Sequence, residues 1–176
     1  SFDSAGVAVN LAVGVATDGF GGVDTLIDVE NVLGSDFDDQ IIGDEGANVL
    51  LGGLGNDVLI GGAGDDQIDG GAGDDILEGG AGDDLYIASA GNDAIITGGG
   101  SDTVQISSGY DQFVDGAAGN DNFVGGADGN DHFAHQFTSA GNDYFLGGTG
   151  FDTGFDTGND QFIEDAVGND YYDYQF

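Results

Sequence analysis

Acidic residues recur every nine residues through the middle of the chain, each two positions before a large apolar residue. Each acid ends a six-residue turn rich in glycine, such as GGLGND (52–57) or GGAGDD (61–66). Carboxylates together with the backbone carbonyls of such turns form an all-oxygen ligand set, which suits Ca²⁺ better than Mg²⁺, Zn²⁺ or copper. The sixth position of the turn is occupied, in unbroken phase, by Asp39, Asn48, Asp57, Asp66, Asp75, Asp84, Asp93, Asp102 and Asp111, so that every copy except Asn48 is acidic.

The nine-residue unit has the form of half a coil of a solenoid. Its six-residue turn carries glycines that accept positive φ, and its last three residues form a short strand whose middle side chain points inward. One unit cannot bury a single apolar residue, whereas stacked coils bury a column of them. The predicted inward residues are Ile41, Leu50, Leu59, Ile68, Leu77, Tyr86, Ile95, Val104 and Phe113.

Stacking also predicts where cations are needed. Successive half-coils reverse direction, so Asp57, Asp75 and Asp93 should share one edge of the solenoid, and the acids between them the other. Like charges about 4.8 Å apart along an edge repel each other unless a cation lies between them. The backbone carbonyls predicted to complete these calcium sites belong to Gly53, Gly55, Gly62, Gly64, Gly71, Gly73, Gly80 and Gly82.

The composition excludes several partners. The 176 residues include no Lys or Arg and 34 Asp plus Glu, a formal net charge of −34. Nucleic acids and anionic membranes bind basic side chains, so neither is expected as a partner. Cysteine is absent, and no apolar run is long enough to span a membrane. Because Ser1 begins no signal-like segment, we expect either a processed or trimmed chain or export without a cleaved leader.

The repeat changes after Asp111. The steps between acids become irregular, at ten, ten, twelve, nine, eight and ten residues, and the turns become AGND, DGND, TGND and VGND. Aromatic residues take the inward position, which predicts a wider coil filled by stacked rings, the alternative being a poorly ordered tail. The further candidate calcium ligands are Asp121, Asp131, Asp143, Asp152, Asp160 and Asp170. The inward aromatics after Phe113 are Phe123, Phe133, Phe145, Phe162 and Tyr172.

Other polar residues are weaker candidates. His132 and His135 form an H-x-x-H pair, but no third nitrogen or sulfur ligand accompanies them, so surface histidines are expected. Asp69 and Glu78 follow the strand centre and should face solvent. The acids that precede the sixth position of a turn could assist calcium or simply face solvent, and the sequence leaves this open. They are Asp38, Asp65, Asp74 and Asp83.

No enzyme is predicted. The chain contains no H-E-x-x-H, no G-x-S-x-G, no thiol and no cation to stabilise an anionic transition state. Carboxylate pairs all belong to the repeat, so none is singled out as a general acid and base. An ice-binding face would need outward rows of Thr, whereas the residue before G-N-D is mostly Ala, Asp or Val.

The turns of residues 52–84 resemble the calcium-binding β-roll of RTX proteins, the secreted hemolysin-type repeat family. This resemblance implies an all-β, right-handed parallel β-roll, or β-solenoid, with calcium between turns i and i+2 and bacterial type I secretion. Residues 1–33 are then a strand-rich lead-in, 34–114 the nonapeptide roll, and 115–176 divergent aromatic repeats that continue the solenoid.

Two functional hypotheses follow. The first is a secreted structural protein that folds on Ca²⁺ and assembles with copies of itself into a filament, matrix or surface layer. It draws on the alternating Val7, Val9, Leu11, Val13 and Val15, which predict a strand with one apolar face at an unblocked end. The second is a calcium-dependent folding or secretion module of a larger secreted enzyme, toxin or adhesin. The oligomeric state in calcium separates the two hypotheses.

Overall fold

The computed structural model describes residues 5–115, 119–125, 128–129, 132–135, 144–146, 153–156, 161–163 and 171–174. All regular structure within these ranges is β-strand. No helix of this part of the chain is long and apolar enough to cross a membrane.

The strands form two sheets, named here sheet A and sheet B. Sheet A contains β1 (Ala8–Asn10), β2 (Val15–Thr17), β3 (Val23–Thr25), β5 (Gln40–Ile42), β7 (Val58–Ala63), β9 (Ile76–Ala81), β11 (Ala94–Gly99), β13 (Gln112–Asp115), β16 (His132–His135), β18 (Thr153–Asp156) and β20 (Tyr171–Tyr174). Sheet B contains β4 (Asn31–Leu33), β6 (Val49–Leu54), β8 (Gln67–Ala72), β10 (Leu85–Ala90), β12 (Thr103–Gly109), β14 (Asn122–Val124), β17 (Tyr144–Leu146) and β19 (Gln161–Ile163). A short β15 (Asp128–Gly129) pairs with the end of β12.

From β4 onward the chain alternates between the two sheets, apart from the short β15, and from β5 onward each strand pairs in parallel with a strand one coil earlier. Leu59 in β7 lies opposite Leu77 in β9, and Leu77 lies opposite Ile95 in β11. This constant offset of two nonapeptides is what the unbroken phase of the sequence requires. The predicted parallel β-solenoid is confirmed.

The interior is a column of apolar side chains between the sheets. All nine predicted inward residues from Ile41 to Phe113 are at most 1% exposed, as is Phe123. The rings of Phe113 and Phe123 meet edge to face across the two sheets, with centroids 5.9 Å apart and planes at 72°. These two rings, on opposite sheets, therefore pack at an angle, whereas the predicted stacking from coil to coil involves side chains such as that of Phe133, which lie outside the described part of the structure.

The N-terminal segment corrects one expectation. The alternation from Val7 to Val15 predicted one strand with one apolar face, and this is wrong. Gly14, with φ of 68°, donates its N–H to the carbonyl of Leu11 and reverses the chain, so β1 and β2 form an antiparallel pair. Leu11 turns inward at 9% exposure, whereas Val13 is 69% exposed. Alternation cannot reveal a turn whose signal is one glycine.

The same segment covers the end of the apolar column. Leu11, together with the partly buried Leu26 and Val29, packs against the core cluster of the roll. In sheet A, β1 also pairs in parallel with β5 and so covers the edge of the first coil. The N-terminal end of the core is thus capped by the chain itself.

Beyond β13 the strand pairing continues in both sheets. Phe133 lies in register with Phe113, and Phe145 with Phe123 and Phe162, but Gly154 stands opposite Phe133 in the next strand. The backbone register thus preserves the aromatic position in sheet B and interrupts it once in sheet A.

Candidate calcium sites

Glycines at the second and fourth positions of the turns give the roll its tight corners. All eight glycines predicted to offer carbonyls have positive φ, from 95° at Gly71 to 139° at Gly82. They also stack closely on one another, since a β-carbon at Gly73 would collide with the carbonyl oxygen of Gly55 one coil earlier. Only glycine satisfies both conditions, so each edge presents a column of backbone turns in close contact.

The residues at the sixth position form a buried ladder along each edge. The backbone N–H of Asp57 donates to Oδ1 of Asp75 at 2.8 Å, and that of Asp75 donates to Oδ1 of Asp93 at 2.9 Å. On the opposite edge, Asp66 and Asp84 are linked in the same way at 2.8 Å. The structure therefore places alternate acids on opposite edges. Every sixth-position residue from Asp39 to Asp121 is at most 3% exposed.

These carboxylates are buried without a positive charge beside them. Oδ2 is enclosed and lacks a hydrogen-bond partner in Asp57, Asp66, Asp75 and Asp93. Burial raises the pKa of Asp66 and Asp75 to about 6 and that of Asp93 to about 7, and it also raises the pKa of Asp57. The chain has no Lys or Arg that could compensate. A buried, unpaired carboxylate is strongly unfavourable, so each of these groups needs either a cation from outside or a bound proton, and at pH above its raised pKa only the cation remains.

The free oxygens point to a defined space beside the first glycine of each turn, which we call the cradle. A β-carbon placed on Gly52 would collide with Oδ2 of Asp57 and with the carbonyl oxygen of Gly70. A β-carbon placed on Gly61 would likewise collide with Oδ2 of Asp66 and with the carbonyl oxygen of Gly79. The cradles at Gly52 and Gly61 thus bring a carboxylate oxygen and a carbonyl oxygen together where glycine leaves room, a donor set that fits Ca²⁺, while the cradle at Gly70 borders Oδ2 of Asp75.

Backbone oxygen must supply much of the coordination. Within the described residues, no group of three or more His, Cys, Asp or Glu side chains is placed to hold one metal ion. In the described turns the buried carboxylate is the one at the sixth position, so a turn offers a single buried carboxylate to an ion. Calcium accepts carbonyl ligands readily, whereas zinc and copper prefer nitrogen or sulfur. The geometry therefore agrees with calcium rather than with a transition metal.

The first two turns differ in a way that sequence reasoning missed. Asp39 is satisfied by the protein, since Oδ1 accepts from the N–H of Val7 at 2.6 Å and Oδ2 accepts from the N–H of Ser35 at 2.5 Å. Oδ1 of Asn48 accepts from the N–H of Asp44 at 2.8 Å. Ser35 and Asp44 stand where later turns have the second glycine, and this departure from G-G was the available signal.

The fifth position forms a second ladder on the outside of the roll. The N–H of Asn56 donates to Oδ1 of Asp38 at 2.8 Å, and that of Asp83 donates to Oδ1 of Asp65 at 3.0 Å. Asp74 accepts from the N–H of Asn92 in the same way at 2.9 Å. These side chains reach toward the next coil, opposite to the inner ladder, and the bonds are exposed. The sequence left open whether these acids assist calcium or face solvent. The structure places them at the surface, where they link adjacent coils.

The remaining candidates divide between surface and undescribed positions. Glu78 is exposed, and partly buried Asp69 accepts a bond from Oγ of Ser89 at 3.2 Å. The side chains of His132 and His135 lie outside the described part of the structure, as do the candidate ligands Asp131, Asp143, Asp152, Asp160 and Asp170.

A parallel β-solenoid whose glycine turns bury carboxylates in oxygen-lined cradles defines a calcium-binding repeat protein. Comparison with protein families agrees, because the RTX calcium-binding nonapeptide repeat matches residues 18–59, 33–68, 51–86, 78–113 and 137–153, more than half of the chain. The chain belongs to this family, whose repeats are structural calcium-binding elements typical of secreted bacterial proteins. No curated protein matches the chain.

Proposed function

We propose that this chain is a secreted structural protein whose β-roll folds when calcium binds. The observation that carries the proposal is the row of buried carboxylates with an unpartnered oxygen, exemplified by Asp57, Asp66 and Asp75, in a chain without Lys or Arg. Without cations, the net charge of −34 opposes compaction.

The chain's own residues prepare the sites. Hydrogen bonds from the previous coil hold one oxygen of each carboxylate, and the glycine cradle keeps the other oxygen facing a backbone carbonyl. Calcium, when bound, supplies the positive charge and joins ligands of neighbouring turns. Because these ligands converge only when coils are stacked, metal binding and folding are coupled.

A calcium titration monitored by circular dichroism tests this coupling. The chain in chelator should lack most β structure and gain it cooperatively at millimolar Ca²⁺, the range of extracellular calcium modules. Magnesium chloride at equal ionic strength is the control, since screening alone would act in both salts. A β spectrum that is already complete in chelator would contradict calcium-dependent folding.

For assembly, the outer face of sheet A is the best candidate surface. Between β5 and β13 its outward positions carry one acid, Glu78, although the chain has 34 acidic residues. Seven of the ten are apolar: the full set is Gln40, Ile42, Val58, Ile60, Ile76, Glu78, Ala94, Ile96, Gln112 and Val114. A nearly uncharged, largely apolar sheet face favours side-by-side packing of copies. The N-terminal cap argues against end-to-end stacking at that end.

Sedimentation and electron microscopy, with and without calcium, test the assembly. We expect calcium-dependent oligomers or fibres that Ile60→Asp abolishes, whereas Leu51→Asp, at the matching outward position of sheet B, leaves them intact. Dispersed monomers at high protein and calcium concentration would reject assembly. The chain would then be a calcium-dependent folding module of a larger secreted enzyme, toxin or adhesin. Type I secretion remains part of the proposal under both outcomes.

A further inference from the structure

The turns of the roll are not equivalent as calcium sites. Three consecutive turns, residues 52–57, 61–66 and 70–75, combine a buried Oδ2 without a partner and an open cradle beside a first-position glycine. Turns on either side lack at least one of these features. We propose that, within the described residues, calcium binds at these three central turns and that in the turns after them side chains fill the space that the ion would occupy. This inference rests on the proposed calcium-dependent function.

Tyr86 closes the first cradle after the central turns. It takes the inward position that Leu or Ile occupies in the preceding units, and it is fully buried. Its hydroxyl lies against Gly79, in the space that also borders Oδ2 of Asp84, and donates to the carbonyl of Thr97 at 2.7 Å. The phenol thus occupies the Gly79 cradle and links β10 in sheet B to β11 in sheet A.

In the next three turns a side chain replaces the hydrogen of the first glycine. Ala88, Thr97 and Ile106 stand at this position and are 1%, 0% and 8% exposed, so their side chains fill the interior of the roll. Asp93 keeps an oxygen without a partner, but the methyl group of Ala88 takes the cradle volume that Gly52, Gly61 and Gly70 leave open. Filling the cradle removes the space in which an ion would lie between carboxylate and carbonyl.

The turns before the central three are closed by a different means. Asp39 accepts hydrogen bonds from Val7 and Ser35 through both of its oxygens. At the next turn the residue is Asn48, whose neutral amide brings no negative charge. A carboxylate that the protein already satisfies gains less from a cation than an orphaned one. The calcium-requiring segment is therefore preceded by turns that the chain satisfies itself, and it is followed by turns in which Asp84 and Asp93 keep an unpartnered oxygen but side chains fill the space for an ion.

Counting bound calcium in variants of the whole chain, by native mass spectrometry with isothermal titration, tests this division. Gly61→Ala should lower the count by about one ion per chain, because its methyl group closes a cradle. Gly61 does not have positive φ, so alanine brings no backbone strain there. Asp66→Asn, a change that Asn48 shows the roll tolerates, should have the same effect, whereas Asp39→Asn should not.

Two variants should gain calcium binding if only the three central turns bind the ion in the wild-type chain. Tyr86→Phe and Ala88→Gly each vacate a cradle and should raise the count by about one ion per chain or tighten binding at least about tenfold. Tyr110→Phe, at a 63% exposed position, is the matched control. Equal losses in Asp39→Asn and Asp66→Asn, or no gain in both vacating variants, would overturn the inference. Wild-type protein that binds no calcium would instead refute the proposed function.

Discussion

The backbone N–H of Asp57 donates a 2.8 Å hydrogen bond to Oδ1 of Asp75, one coil further along the chain. This hydrogen bond fixes the position of one oxygen of the Asp75 carboxylate. The second oxygen, Oδ2, is buried without a partner next to Gly70. One side chain thus joins two coils and presents a ligand, which explains how coil stacking and cation binding depend on each other.

Replacing Asp75 tests this double role. Asp75→Asn should retain the acceptor for Asp57 but weaken calcium binding, and Asp75→Ala should lose both. Asp69→Ala is the control, because Asp69 lies on the outer face of sheet B, where its carboxylate accepts a hydrogen bond from Oγ of Ser89. Isothermal titration gives the calcium count, and urea unfolding gives the stability. Equal loss of calcium in the Asp69 and Asp75 variants would show that the assigned register is wrong.

The raised pKa values predict a pH dependence of the metal-free fold. Burial raises the pKa of Asp66 and Asp75 from 3.8 to about 6 and that of Asp93 to about 7. The folded state therefore binds more protons than the unfolded state between these values, and its stability is lost as pH rises through the folded pKa. In chelator, circular dichroism should show more β structure at pH about 5 than at pH about 7.5.

Calcium binding should respond in the opposite direction, weakening as pH falls through about 6, because protons compete for the carboxylates of Asp66 and Asp75. Asp93→Asn removes the group with the highest of these values and should reduce the pH dependence of the metal-free chain. A metal-free chain that is equally unfolded at both pH values would contradict this explanation.

The apolar column predicts where truncation is costly. Leu59 is fully buried between the sheets, so Leu59→Ala should lower the free energy of unfolding in calcium by about 2–5 kcal/mol. Ile76→Ala removes a side chain that is 46% exposed and should cost far less. Urea unfolding monitored by circular dichroism measures both variants. Similar losses would mean that the outer face of sheet A is covered in solution.

The stacked glycines predict a sharp difference between two Gly→Ala variants. Gly73 has φ of 138° and lies against the carbonyl of Gly55, so Gly73→Ala should destabilise the roll by more than about 1 kcal/mol. Gly46 has no positive φ and meets only Oδ1 of Asp44 at 3.4 Å, so Gly46→Ala should be close to neutral. Thermal unfolding in saturating calcium compares the two, and an equal shift in both would remove the steric explanation.

Much of the architecture could be predicted because the same local pattern of glycine, acidic and apolar residues recurs many times along the chain. The unbroken phase from Asp39 to Asp111 identified the inward column, and Leu59 and Ile95 are buried as the phase requires. The N-terminal segment has no repeat to support its interpretation, and a single Gly14 turn reversed the strand that its alternation predicted.

The sequence by itself determined the solenoid, its coil length, the positions of its acids and its need for an external cation, because these follow from period, composition and charge. Only the tertiary structure decided which acids remain unsatisfied. Asp39 and Asp66 occupy the same position in the repeat, yet Val7 and Ser35 donate to the first while the second keeps a free oxygen beside Gly61. Whether a carboxylate accepts a hydrogen bond depends on the side chains and backbone groups that folding brings near it. The period of the sequence does not show which groups these are.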